Sequence, residues 1–185
     1  YVHPARQLRQ FHIESASVVR IDLNCRDDRR PVNDREGTDR LGAVGLELPM
    51  REIGGQVPAW DELEAIKIHC RSRNAHLHMD GARLWETAAG YNRTPKEIAS
   101  GFDSAYVSLY KGIGGLGGAM LAGSADFVAR AAEWFRRQGG NVIHRSPYIV
   151  SATMQFEQRL AEMPLYFRRT ERLYDTLRDY PQRII

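Results

Sequence analysis

Lysine is scarce in this sequence. Of its 26 lysine and arginine residues only three are lysines, namely Lys67, Lys96 and Lys111. Arginine stays protonated in proteins, whereas a partly buried lysine can lose its proton and act as a nucleophile. Lys67 and Lys96 fall in polar helical segments and are predicted to be solvated. Lys111 follows an apolar strand and precedes a glycine-rich run, so it is either a functional amine or a strand-end charge with a buried stem.

Other absences restrict the class of protein. Two cysteines, Cys25 and Cys70, are too few and too far apart for a disulfide framework or a zinc pattern, which predicts a reducing, cytoplasmic location. No apolar run reaches the roughly 20 residues of a membrane span. The net charge is only +3 and acids alternate with the arginines, which argues against a nucleic-acid-binding stripe. A hydrophobic content of 43% is that of an ordinary globular protein.

Short apolar runs alternate with amphipathic segments along the chain. Strands are predicted at residues 18–23, 43–48, 76–79, 105–110 and 119–122. Helices are predicted at 59–74, from Pro95 with Thr94 as N-cap, at 124–138 with its aromatic side chains in the core, and at 147–180 with a kink or break at Pro164. This alternation predicts an α/β fold with a mainly parallel sheet and flanking helices, which binds its ligand at the carboxyl ends of the strands.

Two of the predicted strands end at a charged residue followed by glycine. Asp80 and Gly81 follow residues 76–79, and Lys111 and Gly112 follow residues 105–110. A primary amine suits a Schiff base with an aldehyde, and a carboxylate can hold a proton on a heterocyclic nitrogen. Pyridoxal phosphate needs both groups. Glycines in the run after Lys111 would let the backbone approach a bulky ring.

Two nearby residues extend this hypothesis. Ser108, three residues before Lys111, is a candidate hydroxyl donor to the cofactor phosphate. Arg83, three residues beyond Asp80, is a candidate partner for a substrate carboxylate or else an ordinary surface charge.

Three motifs give the chain a family resemblance. They are Leu48-Pro49-Met50-Arg51-Glu52-Ile53-Gly54-Gly55-Gln56, His78-Met79-Asp80-Gly81-Ala82-Arg83-Leu84-Trp85 and Tyr110-Lys111-Gly112. In order and approximate spacing they resemble the threonine aldolase and β-eliminating lyase family of fold-type I enzymes, which depend on pyridoxal 5'-phosphate. The similarity extends over about residues 43–148.

The resemblance implies an activity and a set of roles. Lys111 is implied as the lysine that forms the Schiff base, Asp80 as the partner of the pyridine nitrogen, and Arg83 as a contact to the substrate carboxylate. The implied reaction is cleavage of a β-hydroxy-α-amino acid, such as threonine, to glycine and an aldehyde. Members of the family are homodimers or homotetramers, and this implies a homo-oligomer.

The resemblance also implies which parts of the family pattern are missing. The serine-glycine-threonine segment that surrounds the cofactor phosphate and the carboxy-terminal small domain have no counterpart in the sequence. We therefore expect residues 1–146 to form a partial large domain and residues 147–185 a helical connection towards a missing small domain. The residue that stacks on the cofactor ring should fall near Gln7, with His3 and His12 close by, and none of these is assigned.

Two alternatives to an active lyase stay open at this point. One is that the chain is a catalytically incomplete, non-enzymatic remnant of the same fold. A metal hydrolase is the other alternative, because His76, His78 and Asp80 are two residues apart and would share one face of a strand.

Overall fold

The computed structural model of the protein describes residues 42–178. The predicted strand at 18–23 lies outside the described residues, as do Cys25 and the ring-stacking candidates His3, Gln7 and His12.

Within residues 42–178, four strands form one mixed sheet. They are β1 (Ala43–Glu47), β2 (His76–Gly81), β3 (Ser104–Ser108) and β4 (Ala119–Gly123), in the spatial order β1-β2-β3-β4. β2 pairs in parallel with both β1 and β3, and β4 pairs antiparallel with β3 across the glycine-rich turn. The prediction of a mainly parallel sheet is confirmed.

Helices connect and flank these strands. They are α1 (Trp60–Ser72), α2 (Leu84–Tyr91), α3 (Pro95–Ala99), α4 (Ala125–Arg137) and α5 (Ser146–Leu177), with a short 3-10 turn at Arg51–Ile53. The predicted start of α3 is confirmed, because the Thr94 hydroxyl accepts the backbone N–H of Glu97 at 3.2 Å. The alternating pattern of strands and helices thus follows from the local sequence signals.

The two faces of the sheet differ in character. Leu77 and Met79 of β2 are buried, and they alternate with His76, His78 and Asp80, which are half-buried. The apolar face packs against helices on one side of the sheet through a core that includes Leu63, Trp85, Ile98, Met79, Ala105, Val107 and Met163. The polar side chains of β2 therefore lie on the less covered face.

Helix α5 is continuous across Pro164. Its 32 residues include the proline, so the predicted break is absent. Proline removes one backbone hydrogen bond, but Met163 is buried and Tyr166 packs on the same core, which fixes the helix on both sides of it. Neither α5 nor another helix within residues 42–178 combines the length and apolar character of a membrane span. The domain boundary at residue 146 stays a prediction.

Lys67 is buried, so its predicted exposure was wrong. Only 4% of the residue is accessible, and its ammonium group forms an ion pair with Glu64 at 2.9 Å. The same ammonium lies 5.2 Å from the ring centroid of Trp60 and 5.4 Å from that of Phe102. Phe102 is distant in sequence, so the helical pattern of α1 could not reveal this environment.

Helix α4 contributes no buried residue, although its aromatic side chains were predicted to be core. Trp134 is 58% exposed and Phe135 47%. Phe127 is the one aromatic side chain of α4 that stacks on the sheet, with its ring centroid 5.7 Å from that of His76. An amphipathic pattern identifies an apolar stripe but not the surface that covers it.

We expect Lys67→Ala to lower the free energy of unfolding by about 1–3 kcal/mol, because it removes a packed stem and leaves Glu64 without its partner. Lys96→Ala is the matched control at an exposed site and should cost less than about 0.5 kcal/mol. Urea unfolding followed by circular dichroism measures both. Equal losses in the two variants would contradict the buried position of Lys67.

Gly115→Ala tests the packing of the turn between β3 and β4. A Cβ at this position would lie 2.8 Å from the carbonyl oxygen of Leu109 and 3.1 Å from Cβ of Ala152. We expect a loss of about 1–3 kcal/mol from this overpacking. Gly45→Ala is the control, since nothing lies within 4 Å of its Cβ, and it should be neutral or mildly stabilising in the same unfolding measurement.

Candidate active site

Asp80 lies near the carboxyl end of β2, on the half-buried polar face. The parallel registers pair it with Glu47 of β1 and with Tyr106 of β3. Its carboxylate accepts the backbone N–H of Ala82 at 3.1 Å, and its carbonyl oxygen accepts the N–H of Leu48 at 2.9 Å. The carboxylate is therefore fixed at the rim of the sheet.

Lys111 follows β3 at the same rim and is half-buried. Its Nζ lies 5.8 Å from the ring centroid of Tyr110, and the phenol oxygen of Tyr110 is 3.2 Å from that of Tyr106. Because Tyr106 pairs with Asp80 in the sheet, two phenols connect the surroundings of the amine to those of the carboxylate. Burial, the contact with Tyr110 and the charge of Asp80 raise the pKa of Tyr106 to about 12.

The sequence pattern assigned no role to either of these two tyrosines. Tyr106, Ser108 and Tyr110 alternate along one apolar run, so a period of two would have placed them on the same side. The structure ends β3 at Ser108, and Tyr110 lies in the turn beyond it. The hydrogen bond between the phenols therefore spans the end of the strand.

Arg83 lies between β2 and α2, where it is the N-cap residue of the helix. It is half-buried, and its carbonyl oxygen accepts the hydroxyl of Thr87 at 3.1 Å. Its guanidinium and the Lys111 ammonium both act electrostatically on the carboxyl group of Glu86. One cation from each side of the rim thus acts on the half-buried carboxyl group of Glu86.

Glu86 is a third residue near the rim that the sequence pattern did not identify. Its Oε2 is buried and has no hydrogen-bond partner among residues 42–178. Burial raises the pKa of the carboxyl group, while its own backbone amide, Arg83 and Lys111 act in the opposite direction. In the sequence it resembles an ordinary acid in the first turn of a helix, which carries no sign of burial.

Ser108 is fully buried, and its hydroxyl donates to the carbonyl oxygen of Ala82 at 2.5 Å. Its own carbonyl oxygen accepts the indole N–H of Trp85 at 3.0 Å. The two bonds fasten the end of β3 to the segment after β2. The contact of Ser108 with a phosphate stays a prediction. It would require the Ser108 hydroxyl to give up its hydrogen bond to the carbonyl oxygen of Ala82.

Other residues of the chain leave no room for a side chain at some of the glycines after Lys111. A Cβ at Gly112 would lie 2.6 Å from Oε1 of Glu86, and one at Gly117 would lie 2.9 Å from the ring of Tyr148 in α5. Gly114 has a φ of 78°, a left-handed conformation that favours glycine. Packing against α2 and α5 therefore accounts for glycine at these positions without a cofactor ring.

The histidines of the metal alternative bond to the protein. Nε2 of His76 lies 2.9 Å and Nδ1 of His78 lies 2.7 Å from the buried hydroxyl of Ser104. Burial lowers the pKa of His78, against the opposing charge of Asp80. No group of three His, Cys, Asp or Glu side chains within residues 42–178 is arranged to hold a metal ion. The geometry thus favours a structural role for both imidazoles.

The chain is similar to known proteins over most of its length. The model of the β-eliminating lyase family matches residues 8–184. A low specificity L-threonine aldolase of Saccharomyces cerevisiae is 36% identical over 90 residues, which are 49% of this chain and 23% of that protein. The low specificity L-threonine aldolase of Escherichia coli K12 is 39% identical over 72 residues, which are 39% of this chain and 22% of that protein.

A solved structure shares the fold. A provisionally assigned L-allo-threonine aldolase of Listeria monocytogenes is 48% identical with a TM-score of 0.72, and the match covers 76% of this chain and 39% of that one. The predicted fold class, part of the α/β domain of a fold-type I enzyme, is thereby confirmed. The chain spans well under half the length of these relatives. With the family model matching nearly all of its residues, the chain belongs to the β-eliminating lyase family.

Proposed function

We propose that the chain carries the active-site lysine of a pyridoxal-phosphate-dependent carbon–carbon lyase that cleaves a β-hydroxy-α-amino acid to glycine and an aldehyde. The observation that carries this proposal is the shared rim, where Asp80 and Lys111 are connected through the contacts of Tyr106 and Tyr110. The names of the relatives, threonine aldolases, support the choice of substrate class.

The donor set at the rim fits pyridoxal 5'-phosphate. The cofactor, when bound, supplies an aldehyde carbon and a ring that accepts electrons from a breaking bond. Lys111 would hold its aldehyde, since this amine is half-buried and lies beside a glycine-rich turn. Asp80 would hold a proton on its ring nitrogen, since this carboxylate is already fixed by the N–H of Ala82. Ser108 would donate to the phosphate only after its hydroxyl gives up the hydrogen bond to the carbonyl oxygen of Ala82.

Arg83 would bind the carboxylate of the amino-acid substrate. A guanidinium forms bidentate pairs with carboxylates, which fixes orientation as well as position. Arg83 follows Asp80 closely and is half-buried, so its charge is less screened than that of a surface arginine. This arrangement would align the bond to be broken with the group that accepts its electrons.

The proposal includes a homo-oligomer in the cytoplasm. Apolar side chains that are strongly exposed in the single chain support self-association, since large apolar patches mark interfaces. They include Trp134, Phe135, Val142, Ile143, Ile149, Val150 and Met154. The small number of cysteines supports a reducing compartment.

We expect borohydride treatment in the presence of pyridoxal phosphate to add one reduced cofactor to the protein, measured as intact mass. Lys111→Ala should abolish this addition, because it removes the amine that bonds the aldehyde. Lys96→Ala, which changes an exposed lysine, is the matched control and should label as the parent protein does.

Labelling that persists in Lys111→Ala would reject the assigned lysine. A folded parent protein, verified by circular dichroism, that takes up no cofactor would instead support the non-enzymatic remnant. Both experiments use the same samples, so the two explanations separate directly.

We expect Asp80→Asn to reduce cleavage of a β-hydroxy amino acid by roughly 10- to 100-fold, because a neutral amide loses a charge-assisted hydrogen bond to a protonated ring nitrogen. Aldehyde formation under saturating cofactor measures the effect. Asp61→Asn changes an exposed carboxylate of α1 and should leave the rate unchanged. Full activity in Asp80→Asn would remove Asp80 from the proposed site.

A further inference from the structure

Lys111 is the first residue of a tight turn in the backbone. Its carbonyl oxygen accepts the N–H of Gly114 at 3.0 Å, which is the hydrogen bond of a β-turn. Ile113, inside the turn, is fully buried in the core. The N–H of Gly115 then donates to the carbonyl oxygen of Leu109 at 2.8 Å. The main chain of Lys111 is therefore part of a closed turn, and its position depends on what holds that turn from outside.

Gln155 of α5 holds the turn at Gly114. Its side-chain amide donates to the carbonyl oxygen of Gly114 at 2.9 Å. A Cβ on Gly114 would lie 3.2 Å from Oε1 of Gln155, so both ends of the side-chain amide lie against the same residue. Two consecutive hydrogen bonds thus lead from the side chain of Gln155, through Gly114, to the main chain of Lys111.

Ser151 gives the turn a second support from the same helix. It lies four residues before Gln155, on the same face of α5. Its hydroxyl accepts the N–H of Leu116 at 3.0 Å and donates to the carbonyl oxygen of Tyr148 at 3.0 Å. Within residues 42–178, Gln155 and Ser151 are the side chains that hydrogen-bond to the main chain of residues 111–118.

We propose that Gln155 is a positioning residue for Lys111, with Ser151 as the second support of the same turn. The catalytic meaning of this role rests on the proposed function, because an amine that bonds an aldehyde must be held in place beside it. Gln155 carries no charge, and its bond goes to the main chain of Gly114. It therefore acts on the position of the Lys111 amine and not on its protonation.

Hydrogen exchange measured by NMR tests the first step of this connection. Gln155→Met keeps the length of the side chain and removes the group that donates to Gly114. We expect the amide of Gly114 to exchange roughly 2- to 10-fold faster, because the loss of one net hydrogen bond raises the population of the open turn.

Gln158→Met is the matched control. It makes the same substitution in the same helix, at an exposed residue whose side chain bonds to Glu162 at 3.0 Å. The exchange of Gly114 should be unchanged in this variant. An equal acceleration in both variants would mean that a general loosening of α5, and not the bond from Gln155, controls the turn.

Competitive labelling with acetic anhydride connects the turn to the amine. The chain has three lysines, so peptide masses resolve each site. Exposed Lys96 is the internal standard, and buried Lys67 reports global unfolding. In Gln155→Met we expect Lys111 to label at least about twofold faster relative to Lys96, because its half-buried amine follows the loosened turn into solvent. The labelling of Lys67 should stay as in the parent protein.

A merely structural role for Gln155 predicts a different pattern. A loss of global stability would raise the labelling of Lys67 and Lys111 together, and that outcome overturns the proposal. An unchanged rate for Lys111 in folded Gln155→Met overturns it as well.

Ser151→Ala covers the case in which Gln155→Met does not fold. Alanine is the strongest helix former, so this variant keeps α5 intact while it removes the acceptor for Leu116. We expect faster exchange at the amide of Leu116 and faster labelling of Lys111. Parent-like values of both, with circular dichroism showing a folded variant, contradict the proposal by this second route.

Borohydride trapping separates this role from the proposed function. Where the parent protein takes up pyridoxal phosphate at Lys111, Gln155→Met should need at least about twofold more cofactor for half-maximal incorporation, because the amine is less well placed. Equal concentrations for the two proteins would remove the catalytic meaning of the role. Where the parent takes up none, the proposed function fails, and the exchange and acetylation results still decide whether Gln155 positions Lys111.

Discussion

The parallel pairing of β2 with β3 is the constraint on which the site depends. Because parallel strands end at the same edge of a sheet, the residues that follow them reach a common rim. Two hydrogen bonds then secure that edge. The Ser108 hydroxyl donates to the carbonyl oxygen of Ala82, and the Trp85 indole N–H donates to the carbonyl oxygen of Ser108. Asp80 and Arg83 on one side and Lys111 on the other keep their relative positions through this connection.

Lys67 and Lys111 lie in different environments, although the described fold buries each of them at least in part. Lys67 lies between two aromatic rings and forms a direct ion pair with Glu64. Lys111 forms no salt bridge with another described residue and lies beside a tyrosine ring. This difference in environment, rather than burial alone, distinguishes Lys111 from Lys67.

Local sequence patterns predicted the features that depend on neighbours along the chain. The strand-to-glycine transitions located Asp80 and Lys111, and the period of two predicted that His76, His78 and Asp80 share a face. The burial of Lys67 depends on Phe102, and that of Glu86 on Gly112 and Met163, all supplied by other elements. The exposure of Trp134 and Phe135 in α4 depends on which other described elements pack on that helix. No local pattern encodes such contacts, so these environments required the fold.

The glycine-rich turn after Lys111 is supported by the helix that packs behind it. The carbonyl oxygen of Gly114 accepts the side-chain amide of Gln155 at 2.9 Å, and the N–H of Leu116 donates to the hydroxyl of Ser151 at 3.0 Å. Both partners belong to α5, whose buried Ala152 lies against Gly115. The first turns of α5 thus act as a support for the segment that carries Lys111. A substitution on that face of α5 can reach the amine through backbone contacts without touching a ligand, because close packing transmits small displacements.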